Sequence, residues 1–246
     1  ATLKNVIKAC SENNKELVVL DRPNPIACRV DGNILDIKFK SFVGPTTLPI
    51  CTGMTIGEYA LYLKGEYFKN VDLKVIRMDG YNRNLWFDQL SLPWIPPSPN
   101  MPSPYTAIVY PITCFFEGTN LSEGRGTTKP FEYIGAPWLK VEETIRHLEE
   151  KQLEGVSFTE TYFTPTFSKY KKEFCKGIYV IVTDREKIKI AQTAYELIHS
   201  IYHINKDNFK WLEPFKKGMY PFIDLLWGTD EVRKSIENDI PFEKLI

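Results

Sequence analysis

The chain has 246 residues, 43% hydrophobic and 25% charged, which is the composition of a folded protein with one large domain or two small ones. Its 31 basic and 31 acidic side chains give zero net charge, so no overall field draws it to nucleic acid or to an anionic membrane. No apolar run is long enough to predict a transmembrane helix.

The first part of the chain predicts an α/β fold. Apolar positions in residues 1–13 fall on one face of a helix, and residues 17–20 form an apolar run typical of a strand buried on both faces. A helix followed by such a strand is the closing half of a βαβ unit. We therefore interpret the chain as the C-terminal portion of a larger α/β protein whose earlier strands are missing, ending in a smaller α+β domain.

The next elements follow from local patterns. Residues 26–53 are predicted to be irregular, Thr55 and Glu58 predict a capping box that begins a helix, and residues 71–78 alternate as a strand. Residues 96–104 are rich in proline and predict a rigid, irregular wall. The aromatic rings that precede this wall, Trp86, Phe87 and Trp94, either stack on a sugar or pack in the core.

The last hundred residues predict a small α+β domain. We expect a helix at 140–153, strands at 157–164 and 178–183, and a long helix at 186–203 with five apolar positions inward. Two short helices at 220–227 and 230–238 follow. The predicted division is residues 1–138, which end the larger α/β domain and carry the loops of the candidate site, and residues 139–246.

The glycine-rich loop at residues 117–128 is the best candidate for a functional site. It follows an apolar run at 112–116, predicted to be a buried strand or a helix end. Glu117, Glu123 and Arg125 suit a polar or anionic small molecule better than a packing role. Glu117 follows two phenylalanines, where burial would raise the pKa of its carboxyl towards that of a general acid. A solvated turn is the alternative, although such long irregular loops are uncommon in compact domains unless functional.

A second polar group follows the first predicted strand. Asp21, Arg22 and Asn24 come where open α/β sheets bind ligands, at the carboxyl end of a strand. Pro23 and Pro25 fix the backbone between them, so these side chains would be presented with little entropy to lose. The alternative is a turn that only caps the strand.

The sequence predicts neither a metal site nor a nucleotide site. His199 and His203 have the i, i+4 spacing of a metal pair, but no carboxylate flanks them as in HExxH, and two ligands are fewer than a metal needs. The five cysteines are far apart without a CxxC pair, which argues against zinc and against a dense disulfide framework. Cys10, Cys114 and Cys175 are expected to be small buried hydrophobes. No G-x-G-x-x-G or Walker A motif supports nucleotide binding.

Five motifs, in order, resemble a known family. They are LDRPNPI, GMTIGE, PPSPNMPS, YPITCFFEGTNLSEGRGTTKPFEYIGAPW and FTPTFSKY. The chain resembles the YbbC-like, NamZ-type exo-β-N-acetylmuramidases of peptidoglycan turnover from its first helix to its end. The resemblance implies an active site in a cleft between a Rossmann-like domain and a smaller domain. It also implies release of N-acetylmuramic acid from the non-reducing end of glycan fragments, without metal or nucleotide.

This substrate gives the candidate residues their roles. Glycoside hydrolysis generally uses two carboxyl groups, and Glu117 and Glu123 are the candidates. Arg22 and Arg125 are candidates to clamp the lactyl carboxylate of N-acetylmuramic acid. The other candidates for substrate binding carry carboxylate, amide or hydroxyl groups: Asp21, Asn24, Asp31, Asn100, Thr119 and Asn120. Asp31 stands in a segment, Asp31-Gly32-Asn33, that usually reads Glu-Gly-Pro in the family.

Family members also carry an upstream Gly-Pro-Glu-His-Gly motif whose Glu is a strong catalytic candidate, and this sequence contains none. We therefore expect a fragment whose activity needs the upstream part, with a non-catalytic glycan-binding module as the alternative. A cell-wall substrate favours a location outside the cytoplasm. The partner is a peptidoglycan-derived saccharide, with no nucleic acid and no cofactor, and the oligomeric state is left open.

Overall fold

The computed structural model describes residues 1–214, 216 and 218–245. Its α-helices are α1 (Thr2–Glu12), α2 (Ile56–Tyr67), α3 (Pro104–Thr113), α4 (Val141–Glu150), α5 (Ile190–Ile204), α6 (Phe222–Trp227) and α7 (Glu231–Glu237). Its strands are β1 (Leu17–Leu20), β2 (Val30–Ile34), β3 (Pro49–Thr52), β4 (Leu73–Ile76), β5 (Tyr133–Ala136), β6 (Val156–Phe163) and β7 (Cys175–Val182). Over these described residues, no helix is both long and apolar enough to cross a membrane.

The first helix and strand belong to a small α/β unit, as the sequence predicts. β1 and β4 are parallel neighbours, with Leu17 opposite Leu73, and α2 precedes β4 in the chain. The predicted capping box begins α2: the Thr55 hydroxyl accepts a hydrogen bond from the Glu58 N–H, and the Glu58 carboxylate accepts one from the Thr55 N–H. α1 and α2 pack over the strands around Val19.

The prediction that β1 is buried on both faces is wrong. Val19 is buried among the helices, whereas Val18 and Leu20 on the opposite face are 47% and 67% exposed. An apolar strand is fully buried only when other elements cover both faces of its sheet. Here α1 and α2 cover one face of the β1–β4 pair.

The prediction that residues 26–53 are irregular is also wrong, because they contain an antiparallel pair. β2 pairs with β3, and the register shifts between Asp31 and Ile34. Gly32 lies in this shift with φ of 92°, a conformation that L side chains rarely adopt. The bulge interrupts the alternation of apolar residues from which a strand is recognised in sequence.

The second part of the chain forms a three-stranded antiparallel sheet in the order β5-β7-β6. α4 packs on β6 and β7, and α5 packs on α3 and α4. The positions of α5 predicted to face inward are all buried: Ile190, Ala194, Leu197, Ile198 and Ile201. The α/β fold is thus confirmed, with a parallel pair in the first part and an antiparallel sheet in the second.

The apolar run at 112–116 is the end of a helix and not a strand. α3 begins at Pro104 behind the Ser103 cap, and a 3-10 turn at Cys114–Gly118 continues it into the glycine-rich loop. All five residues of the run are buried. β5 follows the loop and pairs with β7. The division at residue 138 stays a prediction.

Candidate active site

The glycine-rich loop is a buried, tightly folded segment. Thr119, Leu121, Ser122 and Glu123 are almost fully buried, so the segment is not the solvated turn that its composition allows. Gly124 is needed because the backbone of Lys129 lies very close to it. Its φ is 75°, and a Cβ at this position would lie 2.6 Å from the Lys129 carbonyl oxygen. The fold therefore holds this loop in one shape.

Four charged side chains meet at the loop. The guanidinium of Arg125 lies 2.7 Å from Oε1 of Glu117 and 3.0 Å from Oε1 of Glu123. The ammonium of Lys169 lies 2.9 Å from Oε2 of Glu123. The Glu117 side chain is 23% exposed, whereas that of Glu123 is 4% exposed with both oxygens paired. We call Glu117, Glu123, Arg125 and Lys169 the charged cluster.

Lys169 is the member of the charged cluster that sequence reasoning missed. Its Nζ donates hydrogen bonds to the carbonyl oxygens of Phe116 and Leu121, at 2.8 and 2.9 Å, besides its ion pair with Glu123. Burial lowers the pKa of Lys169, and the Glu123 carboxylate opposes that shift. The residue lies in the FTPTFSKY motif, but its partners are more than 40 positions away, so local sequence gave no sign of the contact.

Arg125 is also fixed by an aromatic ring. Its guanidinium lies 4.8 Å from the centre of the Phe131 ring, over which it makes a cation–π contact. Tyr110 packs edge-on against the same ring. With two carboxylates and a ring around it, the guanidinium has a defined position beside Glu117.

The polar residues between the two glutamates hold the backbone. The Thr119 hydroxyl donates to the Phe116 carbonyl oxygen and accepts from the Leu121 N–H. The Asn120 amide donates to the Asn208 carbonyl oxygen, and its oxygen accepts from the Lys210 N–H. These contacts give both residues a structural role, and their predicted contact with substrate stays a prediction.

Asp21 and Asn24 also have structural partners. The Asp21 carboxylate accepts hydrogen bonds from the Thr55 hydroxyl at 3.0 Å and from the Gly57 N–H at 2.8 Å, at the first turn of α2. The Asn24 amide donates to the Met54 carbonyl oxygen. Both residues link the end of β1 to the start of α2, which is close to the alternative of a turn that caps the strand. Substrate contact by Asp21 or Asn24 stays a prediction.

Arg22 lies beside a cavity of about 310 Å³ whose other lining residues are aromatic, proline and aliphatic side chains. Phe87 and Trp94 pack edge to face in this wall, with ring centres 4.8 Å apart. No residue of the 117–128 loop lines the cavity. Asn100 lies in the proline-rich segment at residues 96–104, where its backbone N–H donates a hydrogen bond to the Ser98 hydroxyl. The other aromatic residue of this group, Trp86, is buried in the core.

Asp31 caps a distant helix. Its carboxylate accepts hydrogen bonds from the N–H groups of Ile190, at 2.8 Å, and Ala191, at 3.4 Å, at the start of α5. It also lines a cavity of about 510 Å³ with Asn33 and Trp227. A substrate-binding role for Asp31 stays a prediction.

The chain matches two family models along almost its whole length. Residues 1–105 match the N-terminal part of exo-beta-N-acetylmuramidase NamZ, and residues 108–246 match its C-terminal part. The chain belongs to the NamZ exo-β-N-acetylmuramidase family. This membership confirms the resemblance carried by the five motifs.

One curated protein and two solved structures are similar to almost the whole chain. It is 41% identical to the peptidoglycan beta-N-acetylmuramidase NamZ of Bacillus subtilis (strain 168) over 246 residues, which are 100% of this chain and 58% of that protein. A crystal structure of a DUF1343 family protein from Bacteroides fragilis superposes with a TM-score of 0.86 at 31% identity, covering 97% of this chain and 63% of that one. A second such protein from the same organism gives 0.76 at 33%, covering 99% and 64%. The chain thus spans less than two thirds of the length of these relatives.

Proposed function

We propose that this chain is part of a glycosidase that releases N-acetylmuramic acid from the non-reducing end of peptidoglycan fragments. The observation that carries the proposal is its 41% identity, over every residue of the chain, to a peptidoglycan beta-N-acetylmuramidase. Both family models that match also describe an exo-beta-N-acetylmuramidase.

The charged cluster supports carboxylate chemistry with a division of roles. Glycosidases generally use one carboxyl group as the acid and another as the base or nucleophile. Glu117 is the partly exposed carboxylate, so we assign it the contact with substrate. Glu123 is buried with both oxygens in ion pairs, so we assign it the positioning of Arg125 and Lys169. In this assignment, the second reacting carboxyl group is not Glu123.

Arg22 and its cavity support a saccharide ligand. A guanidinium can hold the lactyl carboxylate of N-acetylmuramic acid through two parallel hydrogen bonds. The rings of Phe87 and Trp94 in the cavity wall offer apolar faces, against which the ring of a sugar can pack. Arg22 is thus the proposed carboxylate clamp, since Arg125 is already paired with two glutamates.

The test is turnover of a chromogenic N-acetylmuramide by the full-length protein. Glu117→Gln keeps the shape of the side chain but removes its charge, so kcat is expected to fall about 10²–10⁴-fold while the protein stays folded. Glu66→Gln, on the exposed face of α2, is the matched control and should keep wild-type turnover. Unchanged kcat in Glu117→Gln would remove this residue from the mechanism.

Glu123→Gln separates positioning from chemistry. It is expected to lower the thermal midpoint together with kcat, because the charges of Arg125 and Lys169 lose their buried partner. A loss of kcat with unchanged stability would instead make Glu123 a reacting group. Calorimetric binding of a muropeptide without release of product would support a glycan-binding module in place of an enzyme.

We also propose a location outside the cytoplasm, because the proposed substrate is a fragment of the cell wall. Fractionation of cells that express the full-length protein tests this. Recovery in the cytoplasmic fraction alone would contradict it.

A further inference from the structure

All three histidines of the chain lie close together, at a place that the proposed function does not use. The rings of His199 and His203, one turn apart on α5, have centres 4.3 Å apart, and the His147 ring lies 6.1 Å from that of His199. Asp239, which follows α7, reaches the first two rings. We propose that His199, His203 and Asp239 form a binding site for a divalent transition-metal ion of the Zn²⁺ class.

The three ligand atoms already have nearly the spacing of a metal site. Oδ1 of Asp239 lies 2.9 Å from Nε2 of His199 and 3.6 Å from Nε2 of His203. One ligand atom from each of the three residues lies within 4.8 Å of the others. Zinc bonds of about 2.0–2.2 Å in a tetrahedron place ligand atoms about 3.4 Å apart. Adjustments of the size of a side-chain rotation would therefore bring all three onto one ion.

The fold supplies the third ligand that local sequence lacks. The i, i+4 spacing puts both imidazoles on one face of α5, and 36 residues later the chain returns with Asp239. Coordination replaces hydrogen bonds that these atoms make now. Nε2 of His203 lies 2.9 Å from the Ile236 carbonyl oxygen, and Nε2 of His199 lies against Asp239 itself.

The site is open to solvent. The side chain of Asp239 is 72% exposed and that of His203 is 23% exposed. An ion can therefore reach the three ligand atoms from solvent.

The donor set selects the class of ion. Two imidazole nitrogens and one carboxylate suit Zn²⁺ and its first-row neighbours, whereas Mg²⁺ and Ca²⁺ prefer oxygen ligands. Three protein ligands leave the fourth tetrahedral position to water. An ion here would tie the last turn of α5 to the segment after α7, so the expected effect is a more stable C-terminal region.

The test uses the untagged full-length protein, because a polyhistidine tag would bind the same ions. After dialysis against a chelator, titration with Zn²⁺ by calorimetry should give one ion per chain and raise the midpoint of thermal unfolding. Co²⁺ should give the visible absorption bands of a tetrahedral site with nitrogen ligands. Mg²⁺ and Ca²⁺ at the same concentrations should do neither.

Three variants locate the ion. His203→Gln and Asp239→Asn each remove one metal ligand. Neither side chain is fully buried, so both variants are expected to fold, which circular dichroism checks. Loss of an outer-shell partner weakens metal affinity about 10–100-fold, so loss of a ligand should weaken it at least about 100-fold. His147→Gln is the control, because His147 forms a hydrogen bond with Ser200 and is not a proposed ligand. This variant should bind Zn²⁺ like the wild type. Absence of stoichiometric Zn²⁺ binding by the wild type, or equal affinity in all variants, would overturn the proposal.

Discussion

At the residue scale, the ammonium of Lys169 joins the end of the apolar run to two points of the loop. It donates hydrogen bonds to the carbonyl oxygens of Phe116 and Leu121 and to the carboxylate of Glu123. These three bonds use all three N–H donors of the lysine ammonium. Glu123 is buried, so its charge is stable there only while Lys169 and Arg125 remain beside it. The loop's shape therefore depends on a side chain outside the loop.

Replacement of Lys169 by Met tests this dependence. The variant leaves the buried Glu123 carboxylate with Arg125 alone and the carbonyl oxygens of Phe116 and Leu121 without this donor. The free energy of unfolding should therefore fall by about 3–5 kcal/mol. Lys171→Met is the control: this lysine is exposed, and its substitution should change stability by no more than about 0.5 kcal/mol. Urea denaturation of both variants measures the difference. Equal stability of the two would show that the Glu123 charge is satisfied without Lys169.

At the scale of elements, α5 begins on a cap from another part of the chain. Lys189 precedes the helix and makes no capping hydrogen bond with its side chain, while Asp31 on β2 accepts from two N–H groups of the first turn. The carboxylate also faces the positive end of the helix dipole. The β2–β3 pair is thus attached to the central helix of the second part of the chain.

Asp31→Ala should lower the free energy of unfolding by about 1–2 kcal/mol, since it leaves these N–H groups without their acceptor. Asp31→Asn keeps an acceptor oxygen and should lose less. Asp79→Ala, at an exposed position, provides the comparison. Chemical denaturation measures all three. A loss as large in the Asn variant as in the Ala variant would mean that charge, and not hydrogen bonding, stabilises this end of α5.

At the scale of the whole molecule, the regions matched by the two family models are joined by polar contacts across the core. Arg29 donates hydrogen bonds to the carbonyl oxygens of Arg185 and Ile188. The indole N–H of Trp86 donates to the Glu186 carboxylate at 2.6 Å. These contacts place the β2–β3 pair and Trp86 against the segment between β7 and α5.

Arg29→Gln should weaken this junction. A hydrogen bond that involves a charged group contributes about 1.5–3 kcal/mol, so the variant should lose roughly that amount and unfold at a lower temperature. Arg77→Gln, on an exposed residue after β4, should leave the midpoint unchanged. Calorimetry of both variants measures the shift. If Arg29→Gln matched Arg77→Gln, the hydrogen bonds of Arg29 would make no net contribution to this junction.

The sequence by itself determined most of the helices, the strands β1, β4, β6 and β7, and the family. Helical periodicity predicted α5 and its inward face, apolar–polar alternation predicted β6, and a capping box predicted the start of α2. Each of these signals lies between residues that are a few positions apart. It missed the β2–β3 pair, where a bulge at Gly32 breaks the alternation, and it predicted neither α3 nor β5.

Only the tertiary structure decided what the polar residues touch. Asp31 caps a helix more than 150 positions away, Lys169 neutralises a glutamate 46 positions before it, and Asp239 meets two histidines of α5. A side chain's partner is set by which segments the fold brings within about 3 Å, and local propensity carries no information about contacts at that separation. Chemistry that depends on charge pairs therefore followed from the fold, whereas the elements that carry the charges followed from the sequence.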